Sequence, residues 1–116
     1  MRLADIQDAI RQNRILAGPH AASGAGVDLL TLQEVWAAVL GPQAEIIEDY
    51  PDDPGGPSCL IYCEVNRAPE HVVVAYPCAS SAQRLGMSTL AFMITCYCPD
   101  DPRYRQKWSP DFKTRI

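Results

Sequence analysis

The sequence of 116 residues contains no long apolar run, although 47% of its residues are apolar. No segment approaches the roughly 20 consecutive apolar residues of a membrane-spanning helix, so we expect a chain that does not cross a membrane. The N-terminal segment MRLADIQDAI is polar and amphipathic, unlike the apolar core of a secretory signal. We therefore expect a cytoplasmic protein, and its length is that of one domain.

Positive charge is scarce over most of the chain. Residues 1–102 contain five Lys and Arg against thirteen Asp and Glu, whereas residues 103–116 contain five against one. The formal charges of these two parts are therefore −8 and +4. Such a distribution repels a phosphate backbone over most of the surface and attracts it at one end, which argues against broad nucleic-acid binding and allows a local contact.

Established metal-binding motifs are also missing. Cys59 and Cys63 are spaced C-x-x-x-C, and Cys96 and Cys98 are spaced C-x-C, neither of which is the C-x-x-C of structural zinc sites. The odd total of five cysteines and their apolar surroundings favour buried small hydrophobes. The acidic residues between positions 45 and 53 lack calcium-loop spacing and are interpreted as solvated carboxylates. We therefore predict no metal and no cofactor.

The N-terminal part, residues 1–42, has mainly helical patterns. Apolar spacing predicts a helix over about 2–13, and a short strand follows at 14–17. Residues 20–30 are expected to form a frayed helix or a loop, because each of their two glycines costs about 1 kcal/mol in a helix relative to alanine. The segment T-L-Q-E at 31–34 is a capping box, which predicts the start of a clear helix.

The next part, residues 44–98, has the alternation and β-branched content of a sheet. The predicted strands are 44–50, 58–65, 71–76 and 89–98, joined by a Pro/Gly turn at 51–57, a short hairpin link at 66–70 and a loop at 77–88. The basic tail, 99–116, contains Trp108 and Phe112 and is too apolar to be free, so we expect it to fold back. The result is a single α+β domain with a mostly antiparallel four- to five-stranded sheet and two or three helices.

Four sequence blocks resemble those of a bacterial domain family of unknown function that is grouped by fold with RelE- and BrnT-like toxins of toxin–antitoxin systems. They are EIIEDYPDD, P-S-C-L, H-V-V-V-A, and a strand end I-T-x-Y-x-P-D followed by Trp and D-F-K-T-R. The resemblance covers nearly the whole chain and implies a RelE/BrnT-toxin-like fold. In that family a helix begins H-A-x-x-R-M; His20 and Ala21 match its start, and Gly24 occupies its arginine position.

RelE-like toxins cleave RNA without a metal, and such a site needs a base, an acid and a cation near the phosphate. By resemblance, His20 and His71 are the candidate acid and base, and Tyr97 is a candidate proton donor. Because Gly24 cannot hold a phosphate as an arginine would, we expect catalysis to be weak, altered or lost. The candidates for phosphate or RNA contact are Arg67, Arg84, Arg103, Arg105, Lys107 and Trp108.

Each of these assignments has a structural alternative. His20 follows Gly-Pro and could equally cap the next turn, and a histidine at the start of a central strand, such as His71, is more often structural. Trp108, with Tyr104, could stack on a base or could anchor the tail together with Phe112. The competing function is a non-catalytic protein-binding module on the same scaffold. The expected partners are RNA for the enzyme, and an antitoxin or another protein for either function.

Overall fold

A computed structural model describes residues 1–78 and 90–116 of the chain. Its described residues form three helices, a five-stranded sheet and one short 3-10 turn. The elements in chain order are α1 (Leu3–Arg11), β1 (Ile15–Ala17), α2 (Pro19–Val27), α3 (Leu32–Val39), β2 (Glu45–Tyr50), β3 (Ser58–Val65), β4 (Ala68–Ala75), β5 (Ala91–Tyr97) and the 3-10 turn (Arg105–Lys107).

The sheet has the strand order β1-β5-β4-β3-β2, so β4 lies at its centre. Three of its pairings are antiparallel, and only β1 with β5 is parallel. The register of β2 against β3 shifts between Ile46 and Glu48, at the bulge that adjacent isoleucines suggest. These features confirm a mostly antiparallel α+β fold with a central strand at His71.

The helices cover one face of the sheet. Alternate residues of β3 point toward them, and Cys59, Ile61 and Cys63 are fully buried there. Burial raises the pKa of the thiols of Cys59, Cys63 and Cys96 to about 12, so these thiols remain protonated and pack as small hydrophobic groups. Cys98, one residue beyond β5, is only half-buried.

Helix α3 begins with the predicted capping box. The Thr31 hydroxyl accepts a hydrogen bond from the Glu34 backbone N–H at 3.1 Å, and the Glu34 carboxylate accepts one from the Thr31 N–H at 3.0 Å. Val35 and Val39 bury the apolar stripe against the sheet. Among the described residues, there is no helix with the length and apolarity that a bilayer crossing requires.

One predicted boundary is wrong, and one segment is more regular than expected. The hairpin between β3 and β4 is a tight turn at Asn66 and Arg67, with φ values of 51° and 69°, so β4 begins at Ala68 and includes Glu70. The segment expected to be frayed is a regular helix, α2, from Pro19 to Val27. The loop predicted over 77–88 falls mainly outside the described residues.

Gly24 explains why a glycine-containing segment forms a stable helix here. A Cβ atom at this position would lie 2.1 Å from the backbone carbonyl oxygen of Cys96 in β5. The helix can therefore approach the strand closely only because position 24 has no side chain. The helix propensity lost at Gly24 is offset by packing of Ala21 and Ala25, which are buried on either side of it.

We expect Gly24→Ala to destabilise the fold by about 3 kcal/mol, because the new methyl group overlaps a backbone atom that cannot move alone. Gly26→Ala is the matched control, since a Cβ at position 26 meets no atom within 4 Å. The control should stabilise α2 by about 1 kcal/mol. Urea unfolding of the two variants measures both effects, and equal changes would contradict the packing role of Gly24.

Candidate functional site

The C-terminal tail folds back across the sheet face opposite the helices, as predicted. Trp108 is only 3% exposed, and its ring contacts the ring of His71 edge to face at a centroid distance of 4.4 Å. The guanidinium carbon of Arg115 lies over the Trp108 ring, 4.6 Å from its centroid. Arg115 also donates a hydrogen bond to Glu48 at 2.7 Å. This burial favours the anchoring role of Trp108 over base stacking.

His71 is the residue on which the tail is anchored. Its Nε2 donates a hydrogen bond to the Phe112 carbonyl oxygen at 2.7 Å. Nδ1 is therefore the acceptor, and it accepts a hydrogen bond from the Tyr97 hydroxyl group at 3.1 Å. The imidazole is 0% exposed, and burial lowers its pKa to about 4. At neutral pH the ring is therefore neutral, and both nitrogens are occupied.

His20 lies elsewhere, in a cleft of about 210 Å³ between α2, the end of β5 and the tail. Strand β1 pairs only with residues 91–93, so the following part of β5 has no strand beside it on that edge among the described residues. The cleft occupies this edge. Its lining residues are His20, Ser23, Gly24, Val27, Asp28, Thr95, Cys96, Tyr97, Arg103 and Tyr104.

An acid and a base of one active site have to face the same hollow, and His20 and His71, the predicted pair, do not. His20 is exposed on the first turn of α2, whereas His71 is sealed behind Tyr97 and does not line the cleft. Tyr97 connects the two environments, because it lines the cleft while its hydroxyl group bonds to His71. The catalytic role predicted for His71 would require an opening that the described residues do not provide.

Arg103 supplies the positive charge of the cleft. Its Nε and Nη2 atoms donate to the two carboxylate oxygens of Asp101 at 3.1 and 3.2 Å, and these hydrogen bonds lower the pKa of Asp101. The guanidinium carbon lies 5.2 Å from the centroid of the Tyr104 ring, which in turn lies 4.8 Å from that of Tyr97. The cation is thus held by Asp101 beside the Tyr104 ring.

The remaining predicted contact residues lie outside the cleft. Arg67 is at the β3–β4 turn, Arg105 pairs with Asp100, and Lys107 is exposed at the end of the 3-10 turn. Arg84 falls outside the described residues. The structure therefore brings together His20, Tyr97 and Arg103 from the predicted set.

Sequence reasoning missed Ser23 and Asp28 as cleft residues. Ser23 follows His20 by three positions, a spacing that places two side chains on one face of a helix, so this signal was present once α2 was known to be helical. Asp28 is at the C-terminus of the same helix. Its contribution depends on the chain turning toward α3, for which the sequence has no comparable signal.

The tail's positive charge is largely used within the molecule. Among its five basic residues, Arg103 and Arg105 pair with the adjacent Asp101 and Asp100, and Lys113 and Arg115 pair with acids of β2. The basic residues of the tail therefore mainly form ion pairs within the molecule, and two of these pairs attach the tail to β2. Any phosphate contact has to compete with these ion pairs.

The glycine at position 24 cannot be regarded simply as a lost arginine. Since a Cβ there would overlap the Cys96 carbonyl oxygen, no side chain fits, and an arginine at this position would displace α2. On this backbone, Gly24→Arg would therefore not restore a phosphate contact. The described residues also contain no group of three or more His, Cys, Asp or Glu side chains arranged to hold a metal ion.

The fold and cleft define a small α+β domain with a polar cleft at a sheet edge. The profile of the family described as "Domain of unknown function (DUF4258)" matches residues 2–82, and the chain belongs to this family. No curated protein and no solved structure matches the chain. The matched segment contains His20 and His71, whereas Tyr97, Arg103 and Tyr104 lie beyond it.

We expect Arg115→Ala to destabilise the protein by about 1 kcal/mol, because Glu48, with a side chain only 20% exposed, then loses its charged partner. Lys113→Ala is the matched control, since it also removes a tail cation paired with a β2 acid, Glu45, whose side chain is 49% exposed. The control should have the smaller effect in urea unfolding. A larger loss for Lys113→Ala would contradict the anchoring role of Arg115.

Proposed function

We propose that this domain is a toxin-like, metal-independent endoribonuclease whose active site is the cleft that contains His20. The observation that supports it best is the convergence of an exposed imidazole from α2 with a guanidinium group and a phenol from the tail: His20, Arg103 and Tyr104. These are the base, the cation and the acid that cleavage of RNA by its own 2′-hydroxyl requires.

Each group has a defined task in this reaction. His20 takes the proton from the 2′-hydroxyl, which attacks the adjacent phosphorus, and Arg103 donates N–H groups to the non-bridging phosphate oxygens. The bond to the 5′-oxygen breaks, and that oxygen takes a proton from Tyr104, whose hydroxyl has no hydrogen-bond partner among the described residues. The products are a 2′,3′-cyclic phosphate and a free 5′-hydroxyl.

The surroundings of His20 favour a bound phosphate. Helix α2 begins at Pro19, which has no N–H group, and it has no side-chain cap, so the backbone N–H groups of His20 and Ala21 have no capping acceptor and favour an anion at this helix end. Tyr97 has a different task from the one expected for it, because its hydroxyl proton is donated to His71. In this proposal its ring positions Tyr104 at the cleft.

The same geometry limits activity. Arg103 is held in a bidentate ion pair by Asp101, so a phosphate has to share the guanidinium with a carboxylate. Gly24 contributes no cation. We therefore propose a low basal activity that increases when Arg103 is released from Asp101.

We expect wild-type protein to cleave a short single-stranded RNA, and His20→Ala to reduce the rate by a factor of about 10²–10⁴, the usual contribution of an acid–base group. Asp101→Asn should raise the rate, because it frees Arg103. The measurement is product formation on a labelled RNA oligonucleotide, with detection of the 2′,3′-cyclic phosphate.

Two controls make this test specific. Arg67→Ala removes an arginine outside the cleft and should leave the rate unchanged. An oligonucleotide with a single ribose among deoxyriboses should be cut only after that ribose. Cleavage by His20→Ala at the wild-type rate, or cleavage of the all-deoxy oligonucleotide, would overturn the assignment.

A non-catalytic protein-binding module is the second candidate, and two exposed apolar side chains favour it. Val27 is 59% exposed and Leu29 is 90% exposed at the end of α2, beside the cleft. Exposed side chains of this type are common at protein interfaces. Absence of RNA cleavage by both the wild type and Asp101→Asn would favour this candidate.

A further inference from the structure

A second cavity, of about 300 Å³, lies next to the cleft, where α2 ends above the sheet. Asp28 lines both cavities. The other lining residues are Leu30, Val65, Ala68, Pro69, Glu70, Cys98, Asp100 and Asp101. We call this cavity the Glu70 pocket.

The Glu70 pocket contains a buried carboxyl group that the rest of the chain does not neutralise. Glu70 is only 2% exposed and lies opposite Cys63 on the helix-covered face of the sheet. Its Oε2 atom and the Oδ2 atom of Asp28 are buried and have no hydrogen-bond donor among the described residues. A buried polar atom without a partner is costly, and its retention here requires an explanation.

In the free protein a proton provides the partner. Burial and the neighbouring Asp28 carboxyl group raise the pKa of Glu70 to about 9, so Glu70 carries its proton at neutral pH. The other groups facing Glu70 are the thiols of Cys63, Cys96 and Cys98, which carry no positive charge. The pair therefore retains a single negative charge.

The nearby arginines do not neutralise this charge. Asp101 and Asp100 line the pocket, and they pair with Arg103 and Arg105 respectively, neither of which lines it. These two ion pairs cancel the charges of the rim. The remaining charge lies deeper, at Asp28 and Glu70, and matches one monovalent cation.

The walls of the pocket indicate the class of that cation. Leu30, Val65, Ala68 and Pro69 form an apolar surface leading to the carboxyl pair. Such a surface suits an alkyl chain with a charged end and does not suit a hydrated metal ion. A guanidinium group also presents several N–H donors in a planar fork, which two carboxylate oxygens can accept together.

We propose that the Glu70 pocket binds an alkylguanidinium or alkylammonium group whose N–H donors satisfy the buried, unpartnered carboxyl oxygens of Asp28 and Glu70. The group belongs either to a free small organic cation or to an arginine or lysine side chain of a protein partner. The pocket shares Asp28 with the lining of the cleft but does not include His20, and binding there does not depend on the proposed RNA cleavage.

The test is isothermal titration calorimetry of the whole chain with propylguanidinium. Propylurea is its neutral isostere, and guanidinium lacks its alkyl chain; both should bind at least about tenfold more weakly, because each lacks one of the two complementary features. Titration in two buffers of different ionisation enthalpy should show release of about one proton per propylguanidinium bound. Equal binding of propylurea, or binding without proton release, would overturn the proposal.

Matched variants connect binding to the carboxyl pair. Glu70→Gln keeps the shape of the side chain and removes its charge, and it should reduce propylguanidinium binding at least about tenfold. It should remain folded, and its stability relative to the wild type should increase as the pH rises from the ordinary value of 4.5 to about 9, because over this range only the folded wild type keeps the Glu70 proton and an amide does not titrate. Asp52→Asn is the control at an exposed turn and should bind as the wild type does. Wild-type affinity in Glu70→Gln would overturn the proposal.

Two further titrations identify the source of the cation and exclude a metal. If N-acetylarginine amide binds at least as tightly as propylguanidinium, the pocket accepts an arginine side chain of a partner. If only propylguanidinium binds, the pocket accepts a free small cation. Both results support the shared chemistry. Tighter binding of Ca²⁺ or Mg²⁺ than of propylguanidinium, abolished by Glu70→Gln, would overturn it in favour of a metal site. RNA cleavage by His20 is measured separately, so the two proposals can fail independently.

Discussion

The hydrogen bond from His71 Nε2 to the Phe112 carbonyl oxygen is the interaction on which the arrangement of the tail depends. It fixes the imidazole as a neutral tautomer, whose Nδ1 accepts a hydrogen bond from Tyr97. The imidazole held in this way packs against the buried Trp108 ring. A charged imidazole at this fully buried position would be strongly disfavoured. Because Tyr97 also contacts Tyr104, this buried contact helps to determine one wall of the cleft at the protein surface.

The opposite wall depends on a different constraint, the close approach of α2 to β5 at Gly24. This approach places His20 and Ser23 beside the edge of β5 that β1 leaves unpaired. The same contact excludes an arginine at position 24, so positive charge has to reach the cleft from the tail. The cleft is thus formed by two parts of the chain that are far apart in sequence, and only the first lies within the matched family segment.

Local patterns in the sequence predicted most of the fold. The capping box at Thr31, the alternation of β3 and the apolar run of β4 each depend on neighbouring residues, and the structure confirms them. Features that depend on distant contacts could not be predicted in this way. The helicity of α2 requires the Cys96 carbonyl to face Gly24, and the burial of Glu70 requires a two-residue turn that begins β4 early. The sequence likewise identified His20 and His71 as candidates but had no signal to place them on opposite sides of Tyr97.

The most direct test of this account is a ¹⁵N NMR pH titration of the imidazole in His20→Gln protein, which retains only His71. The account predicts a neutral ring with its proton on Nε2, slow exchange of that proton, and no second protonation until the pH approaches about 4. Protonation should coincide with release of Trp108, observed as a change in its fluorescence in protein that also carries Trp36→Phe. A ring that gains its second proton near the ordinary value of 6.5, or that is protonated on Nδ1 when neutral, would contradict the docking of the tail.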